Sequence, residues 1–269
     1  MKVVVLISCM NEKDYTIIER TNLRTDAVII NQTDSDSIQT IHFISSDGVE
    51  HTALFVNSSE RGLSRSRNMA IKYAEDAEIC LICDDDERLE DDYESKIVSA
   101  YSNAPLNTAL IAFAFRMEDH SCPTNYHRFS FKDIMRTSSV QITFKRDFII
   151  KHHISFDVLM GSGSGNGGGE ENRFMLDVWK NRAGMLYVPD VITYVNKGNS
   201  KWTSTVSPMY FKNLGWSSRR ILGFFPAGVY ILFHSITHYR SYSEKYGFFA
   251  VLKYMFSGFF DKREEHACV

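Results

Sequence analysis

The feature that most constrains this chain is a series of short, uninterrupted apolar runs separated by amphipathic stretches. Residues 2 to 7 form the first run, and others follow at Ala27 to Ile30, Thr52 to Val56, Ile79 to Cys83 and Leu110 to Phe115. A strand that is apolar at every position is buried on both faces, as in mainly parallel sheets covered by helices. Between the third and fourth runs Met69, Ala70, Tyr73, Ala74 and Ala77 recur at helical spacing, as do Tyr93, Ile97, Val98 and Tyr101 after the fourth. This alternation predicts an α/β fold with a mostly parallel central sheet and helices on both faces. Further on, the pattern predicts a strand over Val140 to Phe144 and a helix over Glu170 to Arg182 with Phe174, Val178 and Trp179 inward. A last strand is expected over Leu186 to Val195, interrupted by Pro189. With 269 residues, 44% of them hydrophobic, the chain can bury a core and is not disordered.

The formal charge of −3 hides an asymmetry. Residues 201 to 260 carry seven basic side chains and one acidic, which leaves the rest of the chain at −9, and they hold 17 of the 35 aromatics. The chain therefore divides into an acidic body, residues 1–200, and a basic, aromatic C-terminal segment, residues 201–269. Arg219 and Arg220 precede the apolar run Ile221 to Phe233, and His238 and Arg240 follow it. Phe248, Phe249, Leu252, Phe256 and Phe259 recur at near-helical spacing around Lys253. Such an amphipathic surface fits the headgroup region of an anionic membrane, the alternative being an aromatic flap packed on the body. The run is thirteen residues long and contains Pro226 and Gly228. A spanning helix needs about 20 apolar residues, so the expected contact is peripheral. An acidic body argues against nucleic acid as partner.

Five cysteines and the lack of a secretory leader pattern favour a reducing cytoplasm, and with it the cytoplasmic face of a membrane. Cys80 and Cys83 make a literal CxxC, but in a buried strand positions three apart face opposite sides, which separates the two thiols. His120, Cys122 and His127 match no zinc spacing.

In a doubly wound sheet, ligands bind beyond the carboxyl ends of the strands. Asp84-Asp85-Asp86 follows the fourth run directly. In extended geometry Asp84 and Asp86 point the same way and make a site for a hard cation, Mg2+ or Mn2+, whose other positions go to water and substrate phosphates. Arg61, Arg65 and Arg67 cluster where a strand hands over to a helix, a place suited to a diphosphate. The loop from 161 to 169 holds six glycines. It satisfies GxGxxG, with Asp190 at ribose distance, but lacks a clean preceding strand, so a lid or a flexible linker accounts for it better. Glu170 and Glu171 after this loop are candidates for a general base, because adjacent carboxyls raise each other's proton affinity; the alternative is simple helix N-terminal charge.

Taken in order, Gly62-Leu-Ser-Arg-Ser-Arg67-Asn68, the strand ending in Asp84-Asp85-Asp86, and Gly169-Glu170-Glu171 with Phe174 resemble a family 2 glycosyltransferase of the GT-A nucleotide-diphospho-sugar transferase fold. The resemblance covers about residues 2 to 200. It implies that Asp84 lies near the donor ribose, that Asp86 coordinates a metal bridging the diphosphate, and that Arg67 contacts the nucleotide. It also implies that Ser8, Cys9 and Asn11 with Asn31 line the base pocket, that Arg61 and Asp85 flank the donor, and that Glu171, with Glu170 in reserve, is the base. Asn31 stands where the family commonly has aspartate, Glu171 where the pair usually has aspartate, and no histidine occurs between Val195 and Trp202, where the family often has a metal ligand.

The function this implies is inverting transfer of a sugar from a nucleotide-diphosphate donor, by the resemblance a UDP-sugar, to a hydroxyl of a glycan or polyprenyl-linked acceptor in surface polysaccharide synthesis. Two other readings stand beside it. A sugar nucleotidyltransferase would carry a Gly-rich basic loop after the first strand, where this chain has Ser8-Cys9-Met10-Asn11. A non-catalytic membrane scaffold would bind nucleotide sugar without turnover.

Overall fold

The computed structural model describes residues 1–118, 120–196 and 206–263. All five apolar runs form strands: β1 (Val3–Met10), β2 (Asp26–Gln32), β4 (Glu50–Ser58), β5 (Ile79–Asp84) and β7 (Thr108–Arg116). β4, β2, β1 and β5 lie side by side and parallel, as expected. β9 (Ile142–Lys145) is inserted antiparallel between β5 and β7, and β10 (Gly184–Val195) returns parallel to β7. Three antiparallel pieces complete the sheet: β3 (Ser37–Ile44) on β4, β6 (Glu87–Leu89) on β10, and the two-residue β8 (His127–Arg128) on β10. β3 escapes the sequence pattern because it is an edge strand, exposed along most of its length, and so carries no continuous apolar run.

Alternation along the strands supplies two cores. Val4 and Leu6 of β1 face α2 (Leu63–Tyr73), α5 (Arg146–Lys151) and α6 (Glu170–Lys180), through Ala70, Ile71, Ile149 and Phe174. Val3, Val5 and Ile7 face α1 (Ile17–Arg20) and α3 (Tyr93–Asn103), through Ile17, Tyr93 and Ile97. Cys80 and Cys83 fall in opposite cores, as their spacing requires. The short α4 (Phe131–Ile134) adds Ile134 to the first core. Trp179, expected inward, is exposed on α6. Phe174, Met175 and Val178 already fill the buried arc of that helix.

The C-terminal segment forms α7 (Pro208–Leu222), α8 (Phe224–Thr237), α9 (Tyr239–Tyr242) and α10 (Phe248–Phe259). Ser207 caps α7 by accepting from the Tyr210 N–H, with Pro208 in its first turn. α7 belongs to the body, since Trp216 and Ile221 join the first core. Arg220 clamps Asp157 by two hydrogen bonds of 2.6 and 2.8 Å. On its other side Phe211 packs with Ala227, Ile231, Tyr242, Val251, Met255 and Phe259 in a separate small core. α10 turns Val251, Met255 and Phe259 inward, leaves Phe248, Leu252 and Phe256 half-buried, and exposes Phe249. A broader exposed apolar surface lies on α8, at Phe225, Val229, Leu232, Phe233 and Ile236. Among the described residues no helix is long and apolar enough to cross a membrane. The boundary expected at residues 200–201, and Trp202, lie outside the described residues.

Candidate active site

The parallel register places Ser8 beside Asp84 and Met10 beside Gln32, so the carboxyl ends of β2, β1 and β5 line up on one edge. A cavity of about 890 Å3 opens there, lined by Ser8, Cys9, Glu12, Arg20, Gln32 and the turn from Asp84 to Arg88, among others. The first step of α2 forms part of its wall through Leu63.

At the middle of this edge sits Arg67, 1% exposed. Its Nη2 donates to both Asp84 oxygens at 2.9 and 3.1 Å, and its Nη1 to Glu170 Oε1 at 3.2 Å. The guanidinium lies 5.4 Å from the Phe156 ring centroid, and Phe156 stacks on Phe174 of α6. Burial alone would lower its pKa, but the carboxylates of Asp84, Glu170 and Glu171 outweigh that and hold it charged. Arg67 thus ties α2 to β5 and to α6, and orients Asp84. Asn68 next to it anchors the Phe156 backbone through two hydrogen bonds of 2.8 Å.

β5 ends at Asp84, and Asp85 and Asp86 form a turn before β6. The extended alternation expected for the three aspartates therefore does not hold; the chain must reverse at this point to deliver β6 to β10. Asp84 and Asp86 nonetheless line the same cavity. The turn is held from behind by Glu87, buried in β6, whose Oε1 accepts from the Asp84 N–H at 2.8 Å and whose Oε2 accepts from Thr193 at 3.2 Å. Burial, then the charge of Asp84, raises the Glu87 carboxyl well above the usual range. Burial and the neighbouring Asp84 and Asp85 likewise raise half-buried Asp86. A cluster of oxygen donors whose charges repel in this way fits a hard divalent cation. Among the described residues no three His, Cys, Asp or Glu side chains converge on one point, so water and substrate oxygens would have to complete its shell.

Glu170 and Glu171 open α6 side by side, in different surroundings. Glu170 is buried against Arg67. Glu171 is half-buried, and desolvation together with Glu170 pushes its carboxyl up to about 8. Glu171 lines a cavity of about 360 Å3 shared with Arg67 and Asp84. It also lines a second cavity, about 540 Å3, walled by Asn172, Tyr210, Ser217 and Tyr230. The glycine loop runs between these spaces and is packed at two points. The Leu63 N–H donates to Ser162 O at 2.9 Å, and a side chain on Gly167 would collide with Ser217 and the Asn213 backbone.

Several residues expected at the site stand elsewhere. Arg61 closes the ends of β2 and β4, donating to the carbonyls of Thr33 and Ser58 and pairing with Asp34 at 2.5 Å. Its local ties hold it out of the cavity lining. Asn31 faces away, with Oδ1 accepting from the Glu12 N–H at 2.9 Å and Nδ2 donating to Glu12 O at 2.9 Å and to Asn57 Oδ1 at 2.8 Å. Asn11 is exposed in a left-handed conformation, φ 57°, outside the lining. Ser8, which accepts from Ser66 at 2.9 Å, and Cys9 do line the cavity. Asp85 is exposed in the turn at its mouth. Gln32, Glu12, Arg20 and Glu87 carry no motif and are visible only once the strands are assembled. Arg65 lies 3.9 Å from Glu60.

Comparison with solved structures bears on this arrangement. Residues 1–349 of Staphylococcus aureus TarS in complex with UDP superimpose with a TM-score of 0.60 at 12% identity, covering 92% of this chain and 76% of that one. The same fragment with UDP-GlcNAc gives 0.59 at 15% identity, with the same coverage. The chain has the GT-A glycosyltransferase fold. A mannosyltransferase from Pyrobaculum calidifontis, in complex with GDP-Man and Mn2+, matches at a TM-score of 0.50 and 13% identity over 96% of this chain and 85% of its own. No family model matches the sequence, and no curated protein matches it. Within the GT-A fold the strand-end cavity occupies the carboxyl edge of the parallel strands, where such sheets bind ligands.

Proposed function

We propose that this chain transfers a glycosyl unit from a nucleotide-diphosphate sugar to a hydroxyl of a glycan or lipid-linked acceptor, with inversion. The observation that carries this reading is the position of Glu171. It lines the space shared with Asp84 and Arg67 and also the separate cavity walled by α7 and α8. A donor anchored at the aspartate turn and an acceptor entering past Tyr210 and Tyr230 would meet at this carboxyl. The neighbouring structures, which hold UDP, UDP-GlcNAc and GDP-Man, support a nucleotide-sugar donor.

In this mechanism Glu171 accepts the proton of the acceptor hydroxyl while the oxygen attacks the anomeric carbon from the side opposite the leaving group. The bond from that carbon to the diphosphate breaks, and its electron pair leaves with the nucleotide. Arg67 holds Asp84 in place and presents a fixed positive charge beside the forming diphosphate. Asp84 and Asp86 would hold Mn2+ or Mg2+, which when bound offsets negative charge on the diphosphate oxygens. Glu170 keeps Arg67 oriented and raises the basicity of Glu171. The glycine loop meets α2 through the Leu63 N–H bond to Ser162 and α7 through Gly167.

The C-terminal segment, residues 201–269, would dock the catalytic body, residues 1–200, on the cytoplasmic face of an anionic membrane through the outer face of α8. Placing α8 at a bilayer puts the acceptor cavity, which it walls through Tyr230, within reach of a membrane-borne acceptor.

The test is thermal stabilisation by nucleoside diphosphates with and without Mn2+. Ligand at 100 times its Kd stabilises the folded state by about 2.7 kcal/mol. We expect stabilisation that grows with Mn2+ in the wild type and an Asp86→Ala variant that loses the Mn2+ increment. Equal stabilisation in the presence of a chelator would remove the metal from the assignment.

A further inference from the structure

A further cavity, of about 640 Å3, lies where the end of α7, the start of α8 and the end of α10 meet. It shares no lining residue with the donor or acceptor cavities. On α7 it takes Trp216, Arg219 and Arg220, whereas Leu214, Ser217 and Ile221 line the acceptor side, so the two spaces lie on different faces of that helix.

Five cations line it, Arg173, Arg219, Arg220, Lys262 and Arg263, against two carboxylates, Asp157 and Asp261, a surplus of three. Three of the cations are paired: Arg220 with Asp157 at 2.6 Å, Arg173 with Asp177 at 2.9 Å, and Arg263 with Asp261 at 3.2 Å. Asp261 also takes Lys212 at 2.9 Å, so neither carboxylate of the lining is left over. Arg219 and Lys262 have no hydrogen bond or ion pair among the described residues; Glu264 and Glu265, next in the chain, lie outside those residues. The Arg219 guanidinium instead lies 4.9 Å from the Phe224 ring centroid and 5.5 Å from that of Phe259. The rings fix its position and leave its N–H donors without an acceptor.

The mouth of the cavity is apolar. Phe224 and Phe260, 49% and 67% exposed, have ring centroids 6.4 Å apart. Phe225, 5.4 Å from Phe224, continues this rim onto the exposed face of α8. Cations in the last turn of α7 complement its dipole, but that accounts for neither the aromatic clamp on Arg219 nor the exposed rim. A soluble anion would make no use of exposed phenylalanines. A lipid would use both parts, since a guanidinium matches a phosphate in a two-pronged fork and aromatic rings favour the headgroup level of a bilayer.

We propose that this cavity is a headgroup site for one anionic phospholipid. Arg219, with Lys262, binds the lipid phosphate, and the acyl chains lie along Phe260, Phe225 and the outer face of α8. This rests on the membrane docking proposed above and adds a discrete, saturable site to a diffuse surface.

Flotation of the full chain on phosphatidylcholine vesicles containing phosphatidylglycerol tests it, because a site responds to geometry and a diffuse attraction to charge. Arg219→Lys conserves the charge and loses the fork. It should weaken binding on the order of tenfold, more than Arg240→Gln, which removes a charge outside the cavity. Lys262→Gln should weaken binding as well and carries the test if Arg219→Lys lowers the melting temperature. A folded Arg219→Lys that floats as well as Arg240→Gln would overturn the site while the docking stands. Titration calorimetry separates the sources of phosphate: dihexanoylphosphatidylglycerol, below its micelle concentration, should bind more tightly than sn-glycerol 3-phosphate. Equal binding of the two would assign the cavity to a soluble phosphate ester and overturn the lipid. If the wild type floats on no anionic vesicle, the docking falls, and this inference with it.

Discussion

Arg67 shows how one residue can join stability to chemistry. It is a fully buried cation between two carboxylates, and removing one partner from such a group leaves an uncompensated buried charge. Arg67→Met should therefore destabilise the fold by about 3 to 5 kcal/mol in urea unfolding and also weaken nucleotide binding; a loss below 1 kcal/mol would mean that Asp84 and Glu170 find other partners. Glu171 behaves differently. Its folded-state pKa is raised to about 8 from 4.5, so the protonated form is the one the fold favours, and that stability is present below pH 4.5 and lost as pH rises through 8. Glu171→Gln should accordingly melt higher than wild type at pH 9 and converge with it near pH 4. The same shift makes the carboxylate form scarce at neutral pH, so transfer by the wild type should rise up to about pH 8. Glu171→Gln should lower kcat by about 10²- to 10⁴-fold, and a pH-independent wild-type rate would argue against this base. The aspartates, Arg67 and the glutamate pair were legible in sequence because each sits in a dense motif. Gln32 and Glu87 were not, since a lone polar residue at a strand end or in a three-residue strand looks the same whether it faces solvent or a site.

At the scale of elements, periodicity located the strands and helices well but did not say which surface each would meet. The five apolar runs became five strands because continuous burial leaves little choice. β3 was missed because an edge strand has no such run, and the alternation argument failed at Asp85 and Asp86 because a turn intervenes. α10 was rightly read as helical, and Phe249 of its aromatic stripe is exposed, yet the helix also lies close against α7. The reason lies in two glycines. A Cβ on Gly215 of α7 would strike the Met255 carbonyl, and one on Gly258 of α10 would strike the Lys212 carbonyl, so the two backbones cross in direct contact. Gly215→Ala or Gly258→Ala should force the helices apart at a cost of about 1 to 3 kcal/mol, seen as a lower melting temperature with faster hydrogen exchange confined to α8 and α10. Unchanged exchange there would show that the crossing tolerates a methyl group.

Across the whole molecule, residues 201 to 260, at +6, and the remainder of the chain, at −9, would have separate tasks. Five carboxylates, Glu12, Asp84, Asp85, Asp86 and Glu87, line the cavity where a cation and a diphosphate would meet, whereas the segment leaves one helix face apolar and exposed. Phe225, Val229, Phe233 and Ile236 are each more than 60% exposed, and they recur every three or four residues, which puts them on one stripe. Arg219, stacked on Phe224 at 4.9 Å, lies at the start of this helix, Arg240 lies beyond its end, and α8 itself carries no acidic residue. Burying an apolar side chain fully is worth about 1.5 to 3 kcal/mol. Phe233→Ser with Ile236→Ser should therefore reduce partitioning onto phosphatidylglycerol-containing vesicles by tenfold or more in a flotation assay, with nucleotide binding unaffected because neither residue lines the donor cavity. Binding by the wild type should also weaken as salt rises, since the flanking cations are exposed to screening. If the variant floats as well as the wild type, or the wild type binds neutral vesicles equally, the exposed face of α8 serves a partner other than an anionic bilayer.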